Sequence, residues 1–259
     1  MIDIHSHILP SIDDGSQDIE DSLAQLVKMK AGGIKRVYLT SHYFRGHYQY
    51  ERSEYDLKFE ALKAKAQAAN ICMELYPGFE IFLQPDILID IQKHSLTMGD
   101  SPYILIESEL NGLPNDFYSN IYPLLRAGYK PILAHAERYV SIMKKPSIAE
   151  SLTHRNIYIQ TNAGSLLGHY GEKVMKTAWT LVNNGWTHFI ASDDHVRGNY
   201  GAFFEARGLI NERVDHYTAD LLCRINPASI ASGEAIAYQY VDVHHPRPRH
   251  RNWFKRLFA

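Results

Sequence analysis

Histidines and carboxylates gather in a few short stretches of this chain, and the first stretch lies near its beginning. The segment MIDIHSHILPSIDDG carries His5, His7, Asp13 and Asp14. Two histidines separated by one residue on a strand project from the same face, because side chains alternate along a strand. Alone, this H-x-H pattern fits two surface histidines as well as a metal site.

Similar residues stand at the ends of apolar runs spread along the rest of the chain. His42 follows the run RVYLTS, Glu80 lies within GFEIFL, and Glu107 follows YILI. His135 follows KPILA, and Asp193 and His195 come after HFIAS. Each group has an ordinary structural reading, since a lone histidine can be a hydrogen-bonded core residue and Ser192 or Asp193 could cap a helix. A carboxylate buried after apolar residues is costly unless it is paired. The recurrence of these groups at run ends therefore favours one shared site.

The apolar runs are predicted strands, and the amphipathic stretches between them are predicted helices. MIDI, RVYLT, GFEIFL, YILIE, KPILAH, IYIQT and HFIAS have the content of buried parallel strands. Helices are predicted over 18–31, 50–69, 117–127, 147–155 and 172–184. So many alternating units favour a barrel over an open sheet, and a parallel barrel brings the carboxyl ends of its strands to one rim.

Composition limits the class of protein. The 259 residues, 45% of them hydrophobic, suit one large α/β domain, and a net charge of -2 gives no global attraction for nucleic acid. Cys72 and Cys223 are too few for a disulfide framework. No apolar run reaches transmembrane length and no secretory signal is recognisable, so a cytoplasmic enzyme is expected. We predict a domain over 1–240 and a flexible basic tail over 241–259.

The residue types narrow the chemistry. Imidazoles and carboxylates without paired cysteines suit divalent manganese, iron, zinc or magnesium. One ion takes three or four protein ligands, whereas nine side chains are candidates here: His5, His7, Asp14, His42, Glu80, Glu107, His135, Asp193 and His195. This excess predicts more than one ion, with a carboxylate such as Glu80 shared between two of them. Such centres activate water and stabilise both oxygens of a displacement, so hydrolysis of a phosphoester is predicted.

Several of these stretches resemble a known superfamily. They are DIHSHILPSIDDG, TSH, PGFEI, LIE, LAHAERY, TNAGSLLG and ASDDH. Together they resemble the polymerase-and-histidinol-phosphatase (PHP) superfamily, and in particular the bacterial protein tyrosine phosphatases of the CpsB/YwqE kind, encoded with capsule and exopolysaccharide genes. The likeness runs from Met1 to about Ser232. The ordered set is far more specific than H-x-H, and HILPSIDDGS followed by AHAERY separates this subgroup from other PHP enzymes.

The resemblance implies a distorted (β/α)7 barrel with three divalent metal ions, with Mn2+ favoured and Fe, Zn, Mg or Co as alternatives. The implied ligands are His5, His7, Glu80 and Asp193 for the first ion, Glu80, Glu107 and His135 for the second, and Asp14, His42 and His195 for the third. Asp14 is preferred to Asp13, and Glu107 to Glu109, because these positions match the family pattern.

Two arginines are candidates for binding phosphate. Arg138 resembles the family's phosphate-binding arginine, and a guanidinium fork matches two phosphate oxygens; the alternative is a surface salt bridge. Relatives commonly place a second arginine several residues past the SDxH histidine. Here Arg197 is closer than expected and Arg207 is farther. Arg197 lies in the stretch RGNYG, whose two glycines indicate a flexible loop, and the alternative is a solvated side chain.

The resemblance implies a phosphoric monoester hydrolase that acts on phosphotyrosine in a bacterial tyrosine kinase. A metal-bridging hydroxide would attack phosphorus in line with no cysteine nucleophile, Arg138 would neutralise charge, and His42 or Asp193 would handle protons. The aromatic segment HYFRGHYQYERSEY either lines the site or is an ordinary loop and helix start.

Other functions are compatible with the same residues. One alternative is a phosphatase for a small metabolite such as histidinol phosphate, which would share the metal centre. Another is a non-catalytic kinase-binding module that retains a structural metal. Nuclease activity is disfavoured by the near-neutral charge. The tail, with its sequence RPRHRNWFKRLFA, would either contact an anionic membrane surface weakly or serve as a solubilising end.

Overall fold

The computed structural model describes residues 1–197 and 200–237 of the chain. The predicted basic tail, 241–259, lies outside the described residues, as do Gly198 and Asn199 of the predicted flexible loop. Among the helices of the described part, none has both the length and the apolar character needed to cross a bilayer.

Seven parallel strands form one sheet in sequence order. They are β1 (Ile2–Asp3), β2 (Arg36–Tyr43), β3 (Glu74–Phe82), β4 (Tyr103–Glu107), β5 (Lys130–Leu133), β6 (Tyr158–Asn162) and β7 (Phe189–Ala191). The sheet curls until the residues after β7 meet those after β1. The amide of His7 donates to the carbonyl of Asp194 at 2.8 Å, and the amide of Asp193 donates to the carbonyl of His5 at 2.9 Å. The predicted distorted (β/α)7 barrel is thereby confirmed.

Helices pack on the outside of the barrel and connect its strands. They are α1 (Ile19–Ala31), α2 (Arg52–Ala68), α3 (Ile87–His94), α4 (Phe117–Arg126), α5 (Val140–Lys144), α6 (Ser147–Thr153), α7 (Ala163–Leu166), α8 (Glu172–Asn183), α9 (Gly201–Arg213), α10 (His216–Asp220) and α11 (Asn226–Ser232). A 3-10 helix (Ala136–Arg138) follows β5, and a π-helical turn (Leu221–Ile225) joins α10 to α11. The start of α1 is set by Asp18, whose carboxylate accepts the amide of Asp21 at 2.8 Å.

Alternation along the strands sorts side chains between the helices and the barrel interior. In β4, Ile104 and Ile106 belong to the large apolar cluster under the helices, whereas Tyr103 and Leu105 belong to a second cluster inside the barrel. Glu107 keeps the parity of Tyr103 and Leu105, so its carboxylate also faces inward.

Four strands share this arrangement, with a tyrosine low in the barrel and a polar residue four positions later. The pairs are Tyr38 and His42, Tyr76 and Glu80, Tyr103 and Glu107, and Tyr158 and Asn162. The ring centroids of Tyr38 and Tyr76 lie 5.0 Å apart, and those of Tyr103 and Tyr158 lie 5.5 Å apart. A layer of aromatic rings therefore fills the lower interior, and the polar residues lie together at the rim formed by the strand ends.

A buried carboxylate ties the first strand to the last. Asp3 accepts the amide of Ser192 at 3.1 Å, and its other oxygen accepts the hydroxyls of Ser192 at 2.5 Å and Tyr200 at 2.6 Å. Ser192 thus joins the two ends of the sheet and does not cap a helix, because the next helix, α9, begins only at Gly201.

Candidate metal centre

A cavity of about 280 Å³ opens at the rim where the strands end. It is lined by seven of the nine candidate ligands and by both candidate arginines: Asp14, His42, Glu80, Glu107, His135, Asp193, His195, Arg138 and Arg197. The remaining two, His5 and His7, are fully buried and contact Glu80 and Asp193. The structure therefore brings all nine side chains together, although they come from six different strand ends and one loop.

The first cluster is the most buried. Nε2 of His5 lies 3.0 Å from Nε2 of His7, 3.1 Å from Oε2 of Glu80 and 3.3 Å from Oδ1 of Asp193. Nε2 of His7 lies 3.2 Å from the same oxygen of Glu80. Two imidazole nitrogens and two carboxylate oxygens thus face one point, which is a donor set suited to a divalent cation.

Two further clusters share residues with the first. One contains His7, Asp14, His42 and His195, the other contains His42, Glu80 and Glu107, and within each cluster the donor atoms lie within 4.8 Å of one another. His135 adjoins the last cluster, with Nε2 at 2.9 Å from Oε1 of Glu80 and 3.8 Å from Oε2 of Glu107. Glu80 therefore directs one oxygen to His135 and the other to the first cluster, as a carboxylate shared by two ions would.

The environment of the buried Oε2 of Glu80 indicates whether these residues suit a metal ion. Nitrogens of His5, His7 and His42 lie 3.1 to 3.2 Å from Oε2 of Glu80. Despite these short distances, this buried oxygen has no aligned hydrogen-bond donor among the described residues. A buried carboxylate oxygen in this position is costly unless a cation lies between it and the nitrogens. The donor set fits divalent ions.

Charges within the centre stabilise one another. Burial opposes ionisation of Glu80, yet the imidazoles of His5 and His42 hold the pKa of this carboxyl well below its usual range. Burial also opposes protonation of His42, but Glu80 and Asp14 outweigh it and raise the pKa of His42 to about 10. In the metal-free protein the centre therefore holds protons that an incoming cation must displace.

Two candidate ligands lie on left-handed backbone. His135 has φ of +34° and Asp193 has φ of +53°, just after β5 and β7 respectively. Such conformations cost on the order of 1–3 kcal/mol each for residues other than glycine. The turns they produce direct both side chains into the cavity.

The two adjacent aspartates differ in position. Asp13 accepts from Nδ1 of His7 at 2.8 Å and from the amide of His42 at 3.0 Å, so it stands behind these histidines. Asp14 instead places Oδ1 3.4 Å from Nε2 of His42 and 3.5 Å from Nε2 of His195. Gly15 allows the loop to pack closely, since a Cβ there would lie 1.8 Å from the carbonyl oxygen of His7. The geometry favours Asp14 over Asp13 as a ligand.

Glu107 and Glu109, the other two alternative ligands, differ in solvent exposure. Glu107 lines the cavity, whereas Glu109 is exposed and does not line it. The geometry therefore favours Glu107.

The arginines are placed differently. Arg138 lies in the cavity wall, with Nη1 3.2 Å from Oδ2 of Asp193 and its guanidinium 4.6 Å from the ring centre of Tyr170. This partner is buried, so the contact is not a surface salt bridge. Arg197 lies at the mouth, 68% exposed, and contacts Asp14 at 2.7 Å. Arg207 pairs with Asp220 at 3.5 Å and does not line the cavity.

The aromatic segment after His42 contributes one ring to the rim. Tyr48 stacks on His42 with centroids 5.3 Å apart, and it is partly exposed. Tyr43 and Tyr50 of the same segment are buried in the core. Two rings of the segment thus belong to the core, and one, Tyr48, lies beside a candidate ligand.

Neither cysteine belongs to the cavity. Cys72 is exposed before β3, and Cys223 is buried in the π-helical turn. Burial raises the pKa of the Cys223 thiol to about 12, which suppresses the nucleophilic thiolate.

Three side chains near the centre were missed by sequence reasoning. Tyr170 covers Arg138, and Gln160 and Asn162 lie behind the candidate ligands. The inward parity that Gln160 and Asn162 share with Tyr158 is the signal that identifies the latter two.

A parallel (β/α)7 barrel with imidazoles and carboxylates clustered at its C-terminal rim defines a protein of the PHP type. The chain belongs to the CpsB/CapC family of capsular polysaccharide synthesis, whose family model matches residues 1–232. The tyrosine-protein phosphatase YwqE from Bacillus subtilis is 33% identical over 196 residues, which cover 75% of this chain and 77% of YwqE. CapC from Staphylococcus aureus is 31% identical over 216 residues, 82% of this chain and 83% of CapC. The resemblance found in the sequence is confirmed.

Solved structures agree with this assignment. A structure from work on YwqE of B. subtilis and CpsB of Streptococcus pneumoniae, described as unique metal-dependent tyrosine phosphatases, matches with a TM-score of 0.85. The identity is 29%, and the match covers 91% of this chain and 96% of that chain. A histidinol phosphate phosphatase from Lactococcus lactis shares the fold alone, with a TM-score of 0.55 at 11% identity over 86% of this chain and 96% of that chain.

Proposed function

We propose that this chain is a metal-dependent protein tyrosine phosphatase that acts on a bacterial tyrosine kinase controlling capsule or exopolysaccharide synthesis. The observation that carries the proposal is the convergence of nine imidazole and carboxylate side chains with Arg138 around one open cavity. Relatives that are tyrosine-protein phosphatases support the choice of substrate.

The proposed cofactor is a set of three divalent ions, with Mn2+ as the favoured metal. The proposed ligands of the first ion are His5, His7, Glu80 and Asp193. Those of the second ion are Glu80, Glu107 and His135, and those of the third ion are Asp14, His42 and His195. When bound, the ions supply an activated water and neutralise charge on the phosphate. The buried and unaligned Oε2 of Glu80 supports this assignment for the shared carboxylate.

Arg138 has the proposed role of holding the phosphate. Its guanidinium contacts Asp193 and the ring of Tyr170 in the cavity wall, and it has further N–H donors besides the one that meets Asp193. A planar fork matches two phosphate oxygens and stabilises the charge that develops on them. Arg197 is the proposed second contact, because its ion pair with Asp14 already holds it at the mouth.

His42 and Asp193 are the proposed groups for moving protons. Nδ1 of His42 faces Glu80 and Glu107 at 3.2 and 3.3 Å, and Nε2 faces Asp14 at 3.4 Å. The ring is only partly buried, so it is the more accessible of the two groups to a departing phenolate. Tyr48 lies beside it and offers a face on which the substrate ring can stack.

The test combines metal analysis with substrate comparison. Purified protein should contain divalent metal, lose activity on a phosphotyrosine peptide after chelation and regain it with Mn2+. A phosphoserine peptide and histidinol phosphate serve as competing substrates, and Glu80→Gln serves as the inactive control. Faster turnover of histidinol phosphate would indicate the metabolite phosphatase, and metal-loaded protein without turnover of p-nitrophenyl phosphate would indicate a binding module.

The remaining sequence predictions stay proposals. They are a catalytic domain over 1–240, a cytoplasmic location, and a flexible basic tail over 241–259, either solubilising or in weak contact with an anionic membrane surface. Co-sedimentation of full-length protein and of a 1–240 version with anionic vesicles tests the membrane contact, and equal partitioning would contradict it.

A further inference from the structure

A chain of buried amide contacts runs behind the candidate centre along β6. Oε1 of Gln160 accepts the backbone amide of His135 at 2.8 Å and lies 3.1 Å from Nδ1 of His5. Nε2 of Gln160 donates to Oδ1 of Asn162 at 2.7 Å, and Nδ2 of Asn162 donates to Oδ2 of Asp193 at 2.7 Å. Gln160 and Asn162 are fully buried, so water does not compete for these groups.

One backbone donor fixes which amide atoms donate and which accept in this series of hydrogen bonds. An amide N–H can only donate, so the atom of Gln160 that meets the amide of His135 is the oxygen. The nitrogen of Gln160 is then the donor to Asn162, which must present its own oxygen in return. The nitrogen of Asn162 is therefore left to face Asp193, where it meets an acceptor.

The same reasoning assigns the hydrogen on His5. Because Oε1 of Gln160 is an acceptor, Nδ1 of His5 carries a hydrogen and donates to it. In neutral His5 the lone pair then lies on Nε2, the nitrogen that faces His7, Glu80 and Asp193. Asn162 meanwhile occupies Oδ2 of Asp193 and leaves Oδ1 directed at His5 and His7.

We propose that Gln160 and Asn162 are positioning residues that preset His5 and Asp193 to bind a divalent cation. Gln160 selects the ring nitrogen of His5 that faces the centre, and Asn162 selects the oxygen of Asp193 that faces it. The inference rests on the proposed metal centre, and it extends that centre to a pair of neutral amides outside the proposed set of metal ligands. Outer contacts of this kind typically change metal affinity by about 10–100-fold.

Thr161 provides a matched control on the same strand. Its side chain has the opposite parity and shares a buried hydrogen bond of 2.9 Å with Thr187, away from the candidate ligands. Thr161→Val removes this bond with little change of shape, as Gln160→Met and Asn162→Leu remove theirs. The three variants thus lose buried polar contacts of one kind, but only two of them act on the centre.

The experiment measures Mn2+ binding directly. Chelated full-length protein and the three variants are titrated with Mn2+ by calorimetry, and their thermal unfolding without metal is compared. We expect Gln160→Met and Asn162→Leu to bind Mn2+ about 10–100-fold more weakly, with Thr161→Val unchanged. Equal Mn2+ affinity in all four proteins would overturn the proposal, as would affinity losses in Thr161→Val that match the other two.

A spectroscopic readout separates positioning from a merely structural role. In 15N-histidine-labelled, chelated protein, Nδ1 of His5 should carry a hydrogen, and Gln160→Met should lose this Nδ1 hydrogen from part of the population. Gln160→Glu keeps an acceptor at this place and should restore the Nδ1 hydrogen. An Nδ1 of His5 without a hydrogen in the unaltered protein would refute the assignment. Weakened Mn2+ binding in both variants, together with an unaltered protein inactive on phosphotyrosine, would support these roles and contradict the proposed function.

Discussion

Replacing Arg138 with lysine probes the proposed phosphate contact most directly. Lysine keeps the positive charge beside Asp193 but loses the planar fork, so it can donate to one phosphate oxygen where arginine donates to two. A hydrogen bond to a charged group is worth about 1.5–3 kcal/mol, and about 1.4 kcal/mol corresponds to tenfold in rate. We therefore expect kcat/KM for a phosphotyrosine peptide to fall about 10–150-fold on these values.

The assay is steady-state hydrolysis of the peptide by Mn2+-loaded protein, with the bound metal measured in the same samples. Arg155→Lys is the matched control, because Arg155 also lies over a tyrosine ring, Tyr118, at 5.0 Å but does not line the cavity. Its activity should be unchanged. An Arg138→Lys protein that keeps full metal content and full kcat/KM would refute the reasoning, and a loss explained entirely by lost metal would assign Arg138 to the centre itself.

Three further predictions concern the same cavity. Arg197→Ala should lower kcat/KM about tenfold, the value of one hydrogen bond to a charged group. Its Mn2+ affinity should be nearly unchanged, because exposed ion pairs are weak. An equal loss of kcat/KM in Arg207→Ala, whose side chain does not line the cavity, would contradict this prediction. Tyr170→Ala should lower kcat/KM about 2–30-fold, because it removes a cation–π contact worth about 0.5–2 kcal/mol. Tyr170→Phe keeps the ring and should retain activity. Equal losses in both variants would show that the hydroxyl, and not the ring, is the part of Tyr170 that matters. The raised pKa of His42, about 10 without metal, means that Mn2+ must displace a proton. Mn2+ affinity should therefore rise from pH 6 to 8 by up to about tenfold per unit for each proton released, and calorimetry in buffers of different ionisation enthalpy should detect the release; a pH-independent affinity would contradict it.

The fold was predictable where local signals are strong. The cap at Asp18 and the apolar periodicity place α1 within a residue of its observed start, and the strand content of YILIE matches β4. By contrast, α9 and α3 were not predicted. The apolar residues of α9 show no helical periodicity and α3 is short, so the helical form of both depends on packing against the barrel. Such contacts between distant parts of the chain are absent from any local window.

The candidate site was predictable by residue type but not by contact. His5 and Asp193 could be grouped because they follow predicted strands, and strand ends meet at one rim. Gln160 and Asn162 went unnoticed because neutral amides suit loops, cores and interfaces alike. Their significance appears only when the inward face of β6 is known, since that face places them against His5 and Asp193.

The contact between the residues after β1 and those after β7 bears on how the protein matures. Asp3 and Ser192 lie 189 positions apart in the chain, and the first cluster needs His5 from one side of this seam and Asp193 from the other. Pairing over such a long separation is among the slowest events in folding. A nascent chain therefore presents no complete site until nearly the whole barrel has been synthesised. A cation bound by the first cluster would be held by residues from both sides of this seam, and it would therefore link the two ends of the sheet.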